Sequence, residues 1–138
     1  MRFKLRTSGE KETFEIGEKF GRSLKGGEVV LLNGDLGAGK TVFAKGMAKG
    51  LGVDAIVNSP TFTIMNEYFG RVRFCHFDMY RIDDESELRE LGFEEVIGDK
   101  NTVCAIEWSS KTPSVIPTDA TNILISRISN EEREIDIK

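Results

Sequence analysis

The sequence predicts an α/β fold in three layers, with helices on both faces of a central sheet that mixes parallel and antiparallel strands. Three observations point there. First, "LLNGDLGAGKTVF", Leu31 to Phe43, carries Gly34, Gly39, Lys40 and Thr41 at G-x-x-x-x-G-K-[ST] spacing, between an apolar run and a helix-period run. Second, two pairs of β-rich runs are each separated by only a few residues, which is hairpin spacing and makes antiparallel neighbours. Third, 138 residues suit one core and hence one domain, 1–138. Together these describe a P-loop NTPase-like three-layer sandwich with a mixed central sheet.

The elements follow in order. "MRFKLR" alternates as an edge strand does, and "KETFEIGEKFGRSL" sets Phe14, Gly17, Phe20, Gly21 and Leu24 on one helical face. Gly26 and Gly27 break that helix before "EVVLL", a β-branched strand from Glu28 to Leu32. "TVFAKGMAKGL" places Val42, Phe43, Met47 and Leu51 at helical spacing, and Gly52 reads as its stop. Thr63 to Phe69 and Val72 to Asp78 are strands joined at Gly70-Arg71. "DDESELRELGFEEVI" reads as one acidic helix capped by Asp83 or Asp84, and its acids offer a docking face. "TVCAIEW" is a buried strand, and "TNILISRIS" with "REIDIK" forms a second hairpin around Asn130-Glu131.

Composition narrows the function. Net charge is −4, from 19 basic and 23 acidic residues, so the chain is not expected to grip a nucleic acid by itself. His76 is the one histidine, which gives little support to a histidine metal site or a Ser-His-Asp triad. Cys75 and Cys104 lie in apolar runs and read as buried, reduced thiols. No apolar run is long enough to span a membrane, and the first residues turn charged at once, so a cytoplasmic protein is expected.

The glycine-rich loop can wrap an anion with its backbone N–H groups, ahead of the positive end of a helix. Lys40 would reach the outer phosphates, and the Thr41 hydroxyl would sit on Mg²⁺. Such a loop needs a carboxylate from a neighbouring strand end. Two strands supply one: "VRFCHFD" ends in Asp78 and "TVCAIE" in Glu107. The residues alone do not divide the roles between them. In "SPTFT", Ser59, Thr61 and Thr63 carry hydroxyls and Pro60 stiffens the entry, as a γ-phosphate-sensing loop would. Trp108, the one tryptophan, follows Glu107 and covers the edge of the core.

In order, "GDLGAGKT", "NSPTFT", "HFDMYR" and "IEW", with "ELRELGFEEV", closely resemble the TsaE (YjeE) family of small bacterial ATPases. The likeness is clear from Thr13 to Trp108 and loose in the tail. It implies an ATP- and Mg²⁺-dependent subunit that supports threonylcarbamoylation of the tRNA adenosine beside the anticodon. The implied partners are TsaB and TsaD, with tRNA reached only through that pair and no membrane involved. The subunit by itself is expected to be a monomer that hydrolyses ATP slowly. Carried over by resemblance, Gly34 and Gly37, Ala38, Gly39, Lys40 and Thr41 hold ATP phosphates. Thr41 and Glu107 ligate Mg²⁺. Asp78 stands near the γ-phosphate to orient water, so Asp78, Glu107 and Lys40 form the implied catalytic set. Thr61 belongs to the sensing loop and Trp108 lies beside the site. Ser8, in "TSGE", and Arg133 lie near adenine or ribose.

Other readings share parts of this pattern. A small-molecule kinase has the same loop but needs an arginine-rich lid, and Arg71, Arg73 and Arg81 are scattered around a hairpin. A GTPase usually shows Asn-Lys-x-Asp, whereas "GDKNTV" has those letters in the wrong order. A module that binds ATP without hydrolysing it uses the same residues and stays open.

Overall fold

The strongest apolar runs fold as the innermost strands. The computed structural model describes residues 3–35, 37–57 and 64–138. Among them, seven strands form one sheet: β1 (Phe3–Thr7), β2 (Val29–Asn33), β3 (Met65–Phe69), β4 (Arg73–Asp78), β5 (Thr102–Glu107), β6 (Thr121–Arg127) and β7 (Arg133–Ile137). Their order across the sheet is β1-β7-β6-β2-β5-β4-β3. The inner four, β6-β2-β5-β4, are parallel, and β3, β7 and β1 add antiparallel edges. Both hairpins form where the sequence places them. β5, "TVCAIE", is buried along its whole length, as a central parallel strand covered on both faces must be.

Alternation along β2 divides the core. Val30 and Leu32 face α2 (Lys40–Gly50), together with Phe43, Met47 and Leu51. Val29 and Leu31 face the other way, onto Leu88, Phe93 and Val96. The first face is covered by α2 and α1 (Glu10–Ser23), the second by short elements, including two 3-10 turns at Ser109–Lys111 and Pro113–Val115. Helices α1 and α2 meet through glycines. A Cβ at Gly21 would lie 2.3 Å from the Met47 carbonyl oxygen, and one at Gly46 2.2 Å from that of Phe14. The buried stripe of α1 is therefore Thr13, Gly17 and Gly21, with Phe20 packed beside it and Leu24 just past the end.

The acidic segment departs from the expected single helix. It forms α3 (Ser86–Glu90) and α4 (Phe93–Val96), separated at Gly92, whose φ is 74°. The reason lies in burial. On one continuous helix, Leu88 and Phe93 would point about 140° apart. The break turns both into the core, where Phe93 meets the Phe77 ring edge-on at 5.1 Å. The N-cap of α3 is Glu85, not Asp83 or Asp84; Asp84 lies just before it, where its Oδ1 accepts from the Ser86 N–H at 3.0 Å and its own N–H donates to Glu87 at 3.3 Å. Glu85 bonds Ser114, so three of the acids in this segment hold local structure.

Cys75 and Cys104 are register partners on β4 and β5, both free and buried. Burial pushes their thiols up to about 11 and about 12 respectively. No helix among the described residues is long and apolar enough to cross a membrane.

Candidate phosphate and metal site

The site lies where the parallel strands end. β2 runs into the glycine-rich loop, and Gly34 passes so close to β6 that a Cβ there would sit 2.4 Å from the Ile125 carbonyl oxygen. Gly39, at φ 109°, turns the chain into α2. Lys40 opens that helix, with Thr41 half-buried in the same first turn. Leu36, in the loop, lies outside the described residues, as do Ser59, Pro60, Thr61 and Thr63.

Glu107 ends β5, paired in register with Leu32 of β2 on one side and Asp78 of β4 on the other. This register places the two expected acids beside each other at neighbouring strand ends. Lys40 Nζ lies 3.6 Å from Glu107 Oε1, and both side chains are largely buried. His76 Nε2 lies 2.8 Å from Glu107 Oε2. Burial works to raise the Glu107 pKa. The hydrogen bond and charge of His76, and then the Lys40 ammonium, outweigh it and hold the carboxyl below its ordinary range. Asp78 is half-buried, and its Oδ1 accepts from the Tyr80 N–H at 3.0 Å.

Trp108 follows in a left-handed conformation (φ 59°), alone among described non-glycine residues in having positive φ. It is 42% exposed, packs on Tyr80 with ring centroids 4.9 Å apart, and lies 5.4 Å from Lys40 Nζ. The expected cover for the core edge is thus a half-open aromatic pair at the site's mouth. One depression there is lined by Asn33, Gly34, Lys40, Trp108 and Ser110.

A second cavity, of about 160 Å³, opens on the loop's other side. Gly9, Glu10, Thr13 and Val42 form one wall, with Asn130 and Glu131 opposite. Arg133 also lines it, but its guanidinium is engaged on backbone. It donates to the carbonyls of Ala38 at 2.9 Å and Gly37 at 3.3 Å, and to those of Ser129, Asn130 and Glu132. Arg133 thereby ties the last hairpin to the phosphate loop. Ser8, just before α1, bonds the Glu12 carboxylate through its hydroxyl and its N–H, which lowers the Glu12 pKa. Its neighbours Gly9 and Glu10, not Ser8, line the cavity.

Sequence reasoning missed two of these roles. His76 stands two residues before Asp78 and so shares its face of β4; the period-2 pattern contained that signal. The Arg133–loop contact joins residues 95 apart and left no local trace.

The donors suit a hard cation and a polyphosphate: carboxylates at strand ends, a hydroxyl, one ammonium and a helix N-terminus. Residues 7–135 match the family model of the threonylcarbamoyl adenosine biosynthesis protein TsaE. A Bacillus subtilis protein named tRNA threonylcarbamoyladenosine biosynthesis protein TsaE is 45% identical over 133 residues, covering 96% of this chain and 82% of the relative. One of the same name from Treponema pallidum is 37% identical, covering 91% and 93%. The crystal structure of Bacillus subtilis YdiB superposes with a TM-score of 0.85 at 38% identity, covering 99% of this chain and 84% of that one. The match over nearly the whole chain, together with the shared fold, makes this chain a member of the TsaE family.

Proposed function

We propose that this chain binds Mg²⁺ and ATP at the glycine-rich loop and hydrolyses the ATP. In this reading it is the single-domain ATPase component that sustains threonylcarbamoylation of tRNA adenosine beside the anticodon, acting in the cytoplasm with TsaB and TsaD. The relatives' names support the pathway. The observation that carries the chemistry is the Lys40–Glu107 pair, with Asp78 beside Glu107 in register. The N–H groups from Gly37 to Gly39 and the start of α2 hold the phosphates. Lys40 exchanges Glu107 for the outer phosphate oxygens. Thr41 and Glu107 supply the metal ligands. Mg²⁺, when bound, neutralises charge on the β,γ-phosphate oxygens. Asp78 orients water, and Thr61 belongs to the loop that senses the γ-phosphate. Arg133 holds the loop's shape from behind and borders the nucleoside cavity, Ser8 supports that cavity through the start of α1, and Trp108 flanks the phosphate side.

The test is phosphate release from ATP by the purified monomer, alone and with TsaB–TsaD. Slow release alone and faster release with the pair is expected. Nucleotide binding with no release under either condition would overturn the ATPase reading and leave a binding module.

A further inference from the structure

We propose that His76 is a positioning residue for the metal site: it holds the Glu107 carboxylate by one oxygen so that the other is presented to the cation. This rests on the reading of Glu107 as the Mg²⁺ ligand.

The two carboxylate oxygens have different partners. Oε2 faces His76 Nε2 at 2.8 Å, and the ring is fully buried on β4, stacked on Phe74 at 6.2 Å and 18°. Oε1 faces Lys40 at 3.6 Å. Lys40 sits on a mobile four-carbon stem at the loop and can leave for a phosphate. His76 is locked between strands, with Ala105 and Asn66 as register neighbours. When Lys40 departs, Oε1 is released while Oε2 stays bonded, so the carboxylate keeps its rotation. Hydrogen bonds of this kind orient metal-binding side chains and raise their affinity.

The imidazole adds little else to the core. Its Nδ1 is buried and has no hydrogen-bond partner among the described residues. That is a cost an apolar ring in the same place would avoid. With a proton on Nε2, the ring makes the single bond on offer. The position of that bond, at the ligand's far oxygen, is what distinguishes His76 from a filler of space.

Three substitutions separate these roles. His76→Phe keeps the ring's bulk without the donor. His76→Gln puts an amide nitrogen near the place of Nε2, and His76→Asn near that of Nδ1. Mn²⁺ affinity of each chain–ADP complex is read by electron paramagnetic resonance, and ADP affinity without metal by calorimetry. His76→Phe and His76→Asn are expected to weaken Mn²⁺ binding by about tenfold or more, with metal-free ADP affinity unchanged. His76→Gln is expected to recover most of the loss. The inference is overturned if His76→Gln is no better than His76→Asn, or if metal-free ADP affinity falls in parallel with Mn²⁺ affinity. Glu107→Gln is the control. If it weakens Mn²⁺ binding while the His76 variants do not, only the positioning role fails. If it binds Mn²⁺ as the parent does, the underlying reading of Glu107 fails.

Discussion

Lys40 stands between the Glu107 carboxylate and the Trp108 ring, and replacing it removes the loop's mobile charge. Charge-assisted hydrogen bonds contribute about 1.5–3 kcal/mol. Lys40→Ala should therefore weaken ATP binding about tenfold or more by calorimetry, and unchanged affinity would refute the phosphate assignment. Glu107→Ala should damage Mg²⁺-dependent hydrolysis far more than metal-free nucleotide binding, because the loop N–H groups remain. Asp78→Ala should also slow hydrolysis. If both variants turn over like the parent with TsaB–TsaD, the two acids are merely strand ends. Glu107 has an acid-stability consequence too. Its folded pKa lies below the reference value of 4.5, so its contribution is fully present above 4.5 and disappears as pH falls through the folded value. Urea unfolding across that range should show a shallower acid limb for Glu107→Gln. At this scale the sequence was informative where an apolar run ended in a charge, as at Asp78 and Glu107. It was silent on Arg133, whose partners are backbone carbonyls of a loop distant in sequence.

Between elements, the α1–α2 contact sets the position of the helix that starts at Lys40. Glycine inside a helix costs about 0.5–1 kcal/mol relative to alanine, so an alanine at Gly46 gains that much in propensity. Against this stands the 2.2 Å approach to the Phe14 carbonyl oxygen, which only backbone movement can relieve. Overpacking of that kind costs about 1–3 kcal/mol, so Gly46→Ala should be net destabilising in urea unfolding. It should also weaken ATP binding by shifting the start of α2. Periodicity predicted the right face of α1 but suggested aromatic packing, because side-chain patterns do not reveal backbone-to-backbone approach. The α3–α4 break was hidden for a related reason. "ELRELGFEE" carries good helix formers on both sides of Gly92, and only the joint burial of Leu88 and Phe93 decides against continuity.

Across the molecule, both hairpins were legible because their strands are neighbours in sequence. The pairings β1–β7 and β2–β6 were not, since adjacency between distant strands leaves no local pattern. That unread part of the topology brings Arg133 to the loop and closes the cavity lined by Gly9, Thr13 and Arg133. Fast hydrolysis also requires excluded water and stabilised transition-state charge. Lys40 is the basic side chain paired at the acids, while Arg133 is occupied with backbone. An arginine supplied in trans contributes about 10³–10⁵ in rate in other P-loop enzymes. Turnover should accordingly be slow alone and rise with saturating TsaB–TsaD; rapid turnover indifferent to the pair would favour a self-contained enzyme. Trp108 has a use of its own. It is the one indole in 138 residues, and it sits half-open within 5.4 Å of the Lys40 ammonium, the group proposed to meet the nucleotide. Every photon of tryptophan emission from this chain therefore originates beside Lys40, and a change of that emission on adding nucleotide is the expected label-free sign that the proposed site fills.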